Sequence, residues 1–260
     1  MQKIFVSFLV VVGLAAFVLW RGDFFGGDLL VFDTPSPQSG IDKIDSTKEV
    51  FEFESSGLAL KVAWIKVADT SKISLHSNLE SQRNARTLME QNKCQNLVSG
   101  GFYTKENQPI GLFVTGGESV SKRINSTLFD GIFAVKKDGN LDITTDILDD
   151  LRFGLQSGPI LLENGQSTEL KIKNDAQERR VVVATTEEDQ IVFLIFYGKE
   201  SLIQGPYLAD LPGVVLKVEE EIGVEFKDAV NLDGGTASAF YSDDLTISEL
   251  TLIGSYFCIK

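Results

Sequence analysis

The chain has 260 residues, 43% hydrophobic and 23% charged, with 23 Gly and 6 Pro, a balance that excludes disordered and fibrous classes and suffices for one large core or two small ones. Its formal charge of −13 comes from 37 acidic against 24 basic residues, a field that repels nucleic acid and anionic lipid surfaces. Nucleic acid is therefore excluded as a partner.

The first element is an apolar run from Ile4 to Trp20, broken only by Ser7 and Gly13 and flanked by Lys3 and Arg21. Seventeen residues sit between the length of a signal-peptide core and that of a spanning helix. Phe17, Val18, Leu19 and Trp20 occupy the positions where a small-residue cleavage site would fall, and a tryptophan beside an arginine suits a membrane interface. An uncleaved anchor over residues 1–22 is favoured over a cleaved signal, and either one exports the rest. Asp23, Asp28 and Asp33 follow Arg21, so the positive-inside tendency leaves the amino terminus in the cytoplasm. Residues 23–48, with Pro35 and Pro37 among Gly, Ser, Asp and Thr, read as a flexible linker. The folded domain is expected over residues 49–260, as a single-pass extracytoplasmic protein or, after cleavage, a secreted one.

Val50 to Glu54 alternates in polarity, and Leu58 to Val67 continues the strand pattern after the Ser56-Gly57 turn. Gln82 to Lys93 carries Ala85, Leu88 and Met89 at helical spacing and leads into a strand, Gln95 to Val98, that stops at Ser99-Gly100-Gly101. Short strands follow at 111–114, 131–135, 153–155, 160–162, 181–184 and 191–197, separated by turns such as Lys137-Asp138-Gly139-Asn140 and Glu163-Asn164-Gly165. Leu211, Val215, Val218 and Ile222 then recur at helical spacing, with Asp210 as N-cap, Pro212 in the first turn and Gly223 at the end. That helix feeds the strand 229–232, which delivers Asp233. The pattern predicts an α+β fold dominated by a mixed, twisted β-sheet with a few packed helices.

Cys94 and Cys258 are the two cysteines. In an exported chain they can pair, tying the chain end to the segment before Ser99; the competing reading is two buried thiols. His76, the lone histidine, stands at a strand end among Ser74, Ser77 and Asn78 and reads as a loop or surface residue. No zinc spacing, P-loop, nucleophile elbow or dinucleotide fingerprint is present, so neither a metal nor a cofactor is expected.

Three apolar runs end abruptly in polar residues and glycines: Ser99-Gly100-Gly101-Phe102-Tyr103, Gln156-Ser157-Gly158-Pro159 and Asn231-Leu232-Asp233-Gly234-Gly235. Glycine lets the main chain turn and lets a ligand approach closely, so three such strand ends point to one cleft. Together with Pro109-Ile110-Gly111-Leu112, with Arg180 opening a strand and with Ser238 closing the last motif, they make the chain resemble the phosphodiester glycosidases, closest to a bacterial branch associated with exopolysaccharides. The resemblance runs from about Val62 to the chain end. It departs from the pattern at Ser99, where asparagine is usual, and after Arg180, where Val181-Val182-Val183-Ala184-Thr185 lacks the customary glycine.

The resemblance implies a hydrolase of a sugar 1-phosphodiester in a surface polysaccharide or glycolipid. In such a substrate the leaving group is already a weak acid, so cleavage needs less acid help than an ordinary glycoside and more stabilisation of the phosphate. Asp233 is expected to serve as nucleophile, base toward water or stabiliser of an oxocarbenium-like centre, and Arg180 to hold the phosphate with its planar fork. Ser99, Gly100, Gly101, Phe102, Ser157, Gly158, Asn231, Gly234, Gly235 and Ser238 are expected to line the substrate site, the glycine turns offering N–H groups to the anion. Glu163, Asp130 and Asp210 are candidates for a second carboxylate, Asp210 more as a cap. The competing reading is a catalytically weak glycan-binding module with an open groove of Phe102, Tyr103, Phe240 and Tyr241.

Overall fold

The computed structural model describes residues 50–260. The apolar run and linker expected over residues 1–48 lie outside the described residues. Among the described residues no helix is long and apolar enough to cross a membrane.

In chain order the elements are β1 (Phe51–Ser55), β2 (Leu58–Val67), β3 (Ile73–Ser77), α1 (Ala85–Asn92), β4 (Asn96–Ser99), β5 (Phe113–Thr115), β6 (Glu118–Ser121), β7 (Gly131–Lys136), β8 (Leu141–Thr144) and β9 (Leu151–Ser157). There follow β10 (Ile160–Glu163), β11 (Gln166–Ser167), β12 (Arg180–Thr186), β13 (Ile191–Gly198), α2 (Leu211–Ile222), β14 (Phe226–Asn231), β15 (Phe240–Tyr241), β16 (Thr246–Ile247) and β17 (Ser255–Ile259). They form three sheets: seven strands in the order β1-β2-β13-β12-β14-β10-β11, five in the order β16-β15-β4-β17-β3, and five in the order β6-β5-β9-β7-β8.

Every one of these pairings is antiparallel, which corrects the expected mixed sheet. The reason lies in α2. A helix between two strands suggests a parallel crossover, and β13 and β14 do run the same way. They sit on either side of β12, however, so each meets an antiparallel neighbour.

β12 and β13 are buried along their whole length because both faces of the large sheet are covered. On one face Val182, Ala184, Val192, Leu194 and Phe196 pack against Leu211, Val214, Val215 and Val218 of α2. On the other, Val181, Val183 and Phe193 belong to a core shared by all three sheets. At its centre Phe257 lies 5.0 Å from Phe193 and 5.5 Å from Phe133, and Phe133 lies 5.7 Å from Phe153, ring centre to ring centre. Uninterrupted apolar runs are what a strand covered on both faces requires.

The helices follow local signals. In α1 the Asn84 side chain accepts from the Thr87 N–H, and Lys93 ends the helix in a left-handed conformation. Asp210 precedes α2 without capping it; its carboxylate accepts from the Ser56 hydroxyl at 2.5 Å instead. Gly223 closes α2 at φ 65° with nothing near a would-be Cβ. Gly223→Ala is therefore expected to cost about 1 kcal/mol through backbone strain alone, measured by urea denaturation.

Cys94 and Cys258 form a disulfide across 164 residues. It joins the turn after α1 to β17, an inner strand of the second sheet, within a cluster of Ala85, Leu88, Leu97, Tyr241 and Tyr256. β17, which carries Cys258, was not among the expected strands.

Candidate active site

The site is built where β14 leaves the large sheet. Val182 pairs with Asn231, and the ladder continues with the Leu232 N–H donating to Val181 O at 2.8 Å. The next amide turns the other way: Asp233 N–H donates to Gly100 O, just beyond β4, at 3.0 Å. Gly235 N–H then returns to Arg179 O at 2.7 Å. Asp233 thus stands on the seam between two sheets. Gly234 passes so close beneath Arg179 that a Cβ there would lie 2.5 Å from the Arg179 carbonyl oxygen, so glycine is required by space.

The middle motif clamps this seam from the far side. Ser157 Oγ donates to Asn231 O at 2.7 Å and Gly158 N–H to the same oxygen at 3.0 Å, while Asn231 Nδ2 donates to Gly158 O at 2.9 Å. The Gly158–Pro159 peptide bond is cis, and Pro159 O accepts from the Asn231 N–H at 3.1 Å. Oδ1 of Asn231, buried two residues before Asp233, has no protein partner. A buried polar atom without a partner is uncommon and marks a place for a donor from outside the chain.

The three serines have a supporting task. Ser99, Ser157 and Ser238 are fully buried. Ser99 Oγ accepts from Ala239 N–H at 3.1 Å, and Ser238 Oγ donates to Gly235 O at 2.8 Å while accepting from Arg179 Nε at 2.7 Å. The glycine amides are likewise committed. Gly100 N–H donates to Ser255 O, Gly101 N–H to Ser255 Oγ, Gly235 N–H to Arg179 O and Gly234 N–H to the Asp233 carboxylate. Phe102 packs on Phe129 at 4.9 Å.

Arg179 and Arg180 diverge, as successive strand residues must. Arg179 is buried under the 233–238 loop, its Nη2 donating to Ser238 O at 2.7 Å and its Nη1 to Leu202 O at 3.1 Å. Arg180 lies on the face of Val182 and Asn231. Its Nε donates to Pro206 O at 3.2 Å, its Nη2 to Ala176 O at 2.7 Å and to Asp175 at 3.3 Å, and its Nη1 stands 3.9 Å from Glu178 Oε2. The guanidinium is thus anchored at one end and turned toward Glu178 at the other.

Burial pushes the Asp233 carboxyl up to about 8; the Gly234 N–H opposes that shift and the Glu178 carboxylate adds to it. At neutral pH Asp233 is accordingly an acid. Tyr103 is close enough for Asp233 to raise its hydroxyl pKa further after burial has done so, and that hydroxyl donates to Leu252 O. The carboxylate that the structure puts beside Asp233 is Glu178, which the sequence reading did not single out. Asp130 instead accepts from Ile160 N–H at 2.9 Å, Asp210 from Ser56, and Glu163 sits exposed opposite Gln166.

Phe240 and Tyr241 are buried in the core, so they cannot line the open aromatic groove that a binding module would use. His76, on β3, stacks on Tyr256 at 5.2 Å with its Nε2 2.8 Å from Ser74 Oγ. Among the described residues no group of three or more His, Cys, Asp or Glu is placed to hold a metal ion.

The domain thus pairs all-antiparallel sheets with a buried carboxyl at glycine-terminated strand ends and a second carboxylate near it, a constellation compatible with a glycosidase. A sequence profile described as phosphodiester glycosidase matches residues 92–253, and the chain belongs to that family. No curated protein matches the chain in sequence. Among solved structures it is similar to the catalytic domain of zebrafish N-acetylglucosamine-1-phosphodiester alpha-N-acetylglucosaminidase auto-inhibited by its pro-peptide, with TM-score 0.63 and 15% identity over 85% of this chain and 84% of that one. A hypothetical protein from Synechocystis has TM-score 0.59 and 12% identity over 81% of this chain and 61% of that one. A putative exported protein from Burkholderia pseudomallei has TM-score 0.52 and 12% identity over 78% and 74%. At these identities the likeness is one of fold.

Proposed function

We propose that this phosphodiester glycosidase is an extracytoplasmic enzyme, held at the membrane by residues 1–22, that cleaves the glycosyl–phosphate bond of a surface polysaccharide or glycolipid. The observation that carries the reading is the protonated Asp233 carboxyl at the meeting of the three glycine-ended strands. Its proton meets the charge that develops on the departing phosphate oxygen, and Arg180 Nη1 supplies the positive charge for the remaining phosphate oxygens. Gly100, Gly101 and Gly234 let the strand ends close on Ser255, Leu155 and Arg179, which is what brings Asp233 to the seam. Ser99, Ser157 and Ser238 hold these groups in register from behind. The Cys94–Cys258 disulfide supports an oxidising compartment, as does the apolar run from Ile4 to Trp20.

The test is hydrolysis of a panel of sugar 1-phosphodiesters by the full chain, beginning with N-acetylglucosamine. The parent is expected to release sugar and phosphomonoester, and Arg180→Ala to lower kcat/KM by about 10² to 10³ with its circular dichroism unchanged. Glycan binding without turnover on any member of the panel would transfer the reading to a binding module. Protease accessibility of the domain on intact cells tests the location.

A further inference from the structure

A glycosidase that sends water to the anomeric carbon needs, besides an acid, a carboxylate that takes the water's proton and has room to reach it. The seam offers one. Carried past β14, the register of Val182 with Asn231 sets Arg180 beside Asp233. Gly235 N–H then closes on Arg179 O, so the chain gains a residue against β12 as in a bulge, and Glu178 comes over Gly235. A Cβ on Gly235 would lie 3.3 Å from Glu178 Oε2. The missing side chain therefore makes the space in which that carboxylate rests.

Glu178 lies near enough to Asp233 for its charge to push the Asp233 carboxyl up further. The two differ in setting. The Glu178 side chain is 55% exposed, open to water, with Arg180 Nη1 3.9 Å from it on the inner side. Asp233 is mostly enclosed and keeps its proton.

We propose that Glu178 is the second catalytic carboxylate of this site, the base that activates the attacking water. The assignment rests on the glycosidase reading above and goes beyond it. In the step, Glu178 takes a proton from water as the water oxygen bonds to the anomeric carbon. The bond from that carbon to the phosphate oxygen breaks, its electron pair stays on the oxygen, and that oxygen takes the proton of Asp233. Free sugar and phosphomonoester result, Glu178 returns its proton to solvent and Asp233 takes one up. Direct attack by water inverts the anomeric centre.

The experiment compares the parent, Glu178→Gln, Glu178→Ala and Asp233→Asn on one sugar 1-phosphodiester, with and without sodium azide, reading kcat, the product anomer by proton NMR at early turnover, and Tm. Expected are an inverted sugar from the parent and a fall in kcat of about 10² or more for both Glu178 variants with Tm close to the parent's. Azide, a nucleophile that needs no base, is expected to restore Glu178→Ala with glycosyl azide as product and to leave Asp233→Asn unrescued. Glu178 variants within threefold of the parent while Asp233→Asn is inactive would overturn the assignment and leave the glycosidase reading standing. So would a retained anomer, or a loss of rate that follows a fall in Tm and that azide does not reverse. Absence of turnover by the parent on every sugar 1-phosphodiester would overturn both.

Discussion

Asp233→Asn is expected to abolish turnover and, at alkaline pH, to give a protein more stable than the parent. The carboxyl is held at about 8 against an ordinary value near 3.8, chiefly because its surroundings do not solvate a charge. Between those two values the folded protein binds a proton that the unfolded chain releases, so stability falls as pH rises. The favourable contribution of the neutral acid is complete below pH of about 4 and is lost as pH rises through about 8. Asparagine keeps the shape and never ionises. Its advantage in Tm should therefore be small at pH 4, about half developed at pH 6 and complete at pH 9, and amount to a few degrees, while activity falls by on the order of 10³. The parent's activity should decline above pH 8, as the acid loses its proton. A variant less stable than the parent at all three pH values would show that the asparagine disturbs the seam and that burial of charge is not what raises the pKa.

Removing the disulfide, by reduction or by Cys94→Ala with Cys258→Ala, is expected to be the largest single loss of stability. The bridge closes a loop of 164 residues, most of the domain. In the chain-entropy account a loop of that size restrains the unfolded state by about 5 kcal/mol. For a domain of some 200 residues that corresponds to a fall in Tm of roughly 10–20 °C by calorimetry. The packing around it should survive, because Cys94 and Cys258 sit in a buried cluster with Leu88, Leu97 and Tyr256. A fall of only a few degrees would mean that the reduced unfolded chain is already compact about this cluster.

How much of this was legible in the residues depends on the range of the signal. The helix over 211–222 and the strand 191–197 announce themselves through periodicity or unbroken apolarity, and both are present. The meeting of the three glycine-ended motifs also follows from the residues, since each ends an apolar run in groups that need close backbone approach. What could not be read is pairing. The sequence suggests that β14 follows α2 in a crossover, and nothing local says that β12 fills the gap between β13 and β14. β17 is only five residues long, and it becomes an inner strand of its sheet only through β3 and β4. Of the Glu178-Arg179-Arg180 run, the sequence singled out the arginine. Alternation divides the three between faces, and the absence of a side chain at Gly235, 57 positions away, decides where the glutamate rests. No window of sequence contains that relation.

The seam at Asp233 also fixes the smallest unit that can be inherited as an activity. Gly100 comes from the first half of the described domain and Arg179, Asp233 and Ser238 from the second. The amide joining Asp233 to Gly100 links the large sheet to the end of β4, whose neighbours β15 and β17 both come from the carboxyl-terminal part of the domain. A fragment running from Gly131 to Tyr241 would carry every charged group of the site and none of the partner strand that orients the acid. Recombination or splitting within these bounds is thus barred by geometry, and variation has room chiefly in the loops around the seam.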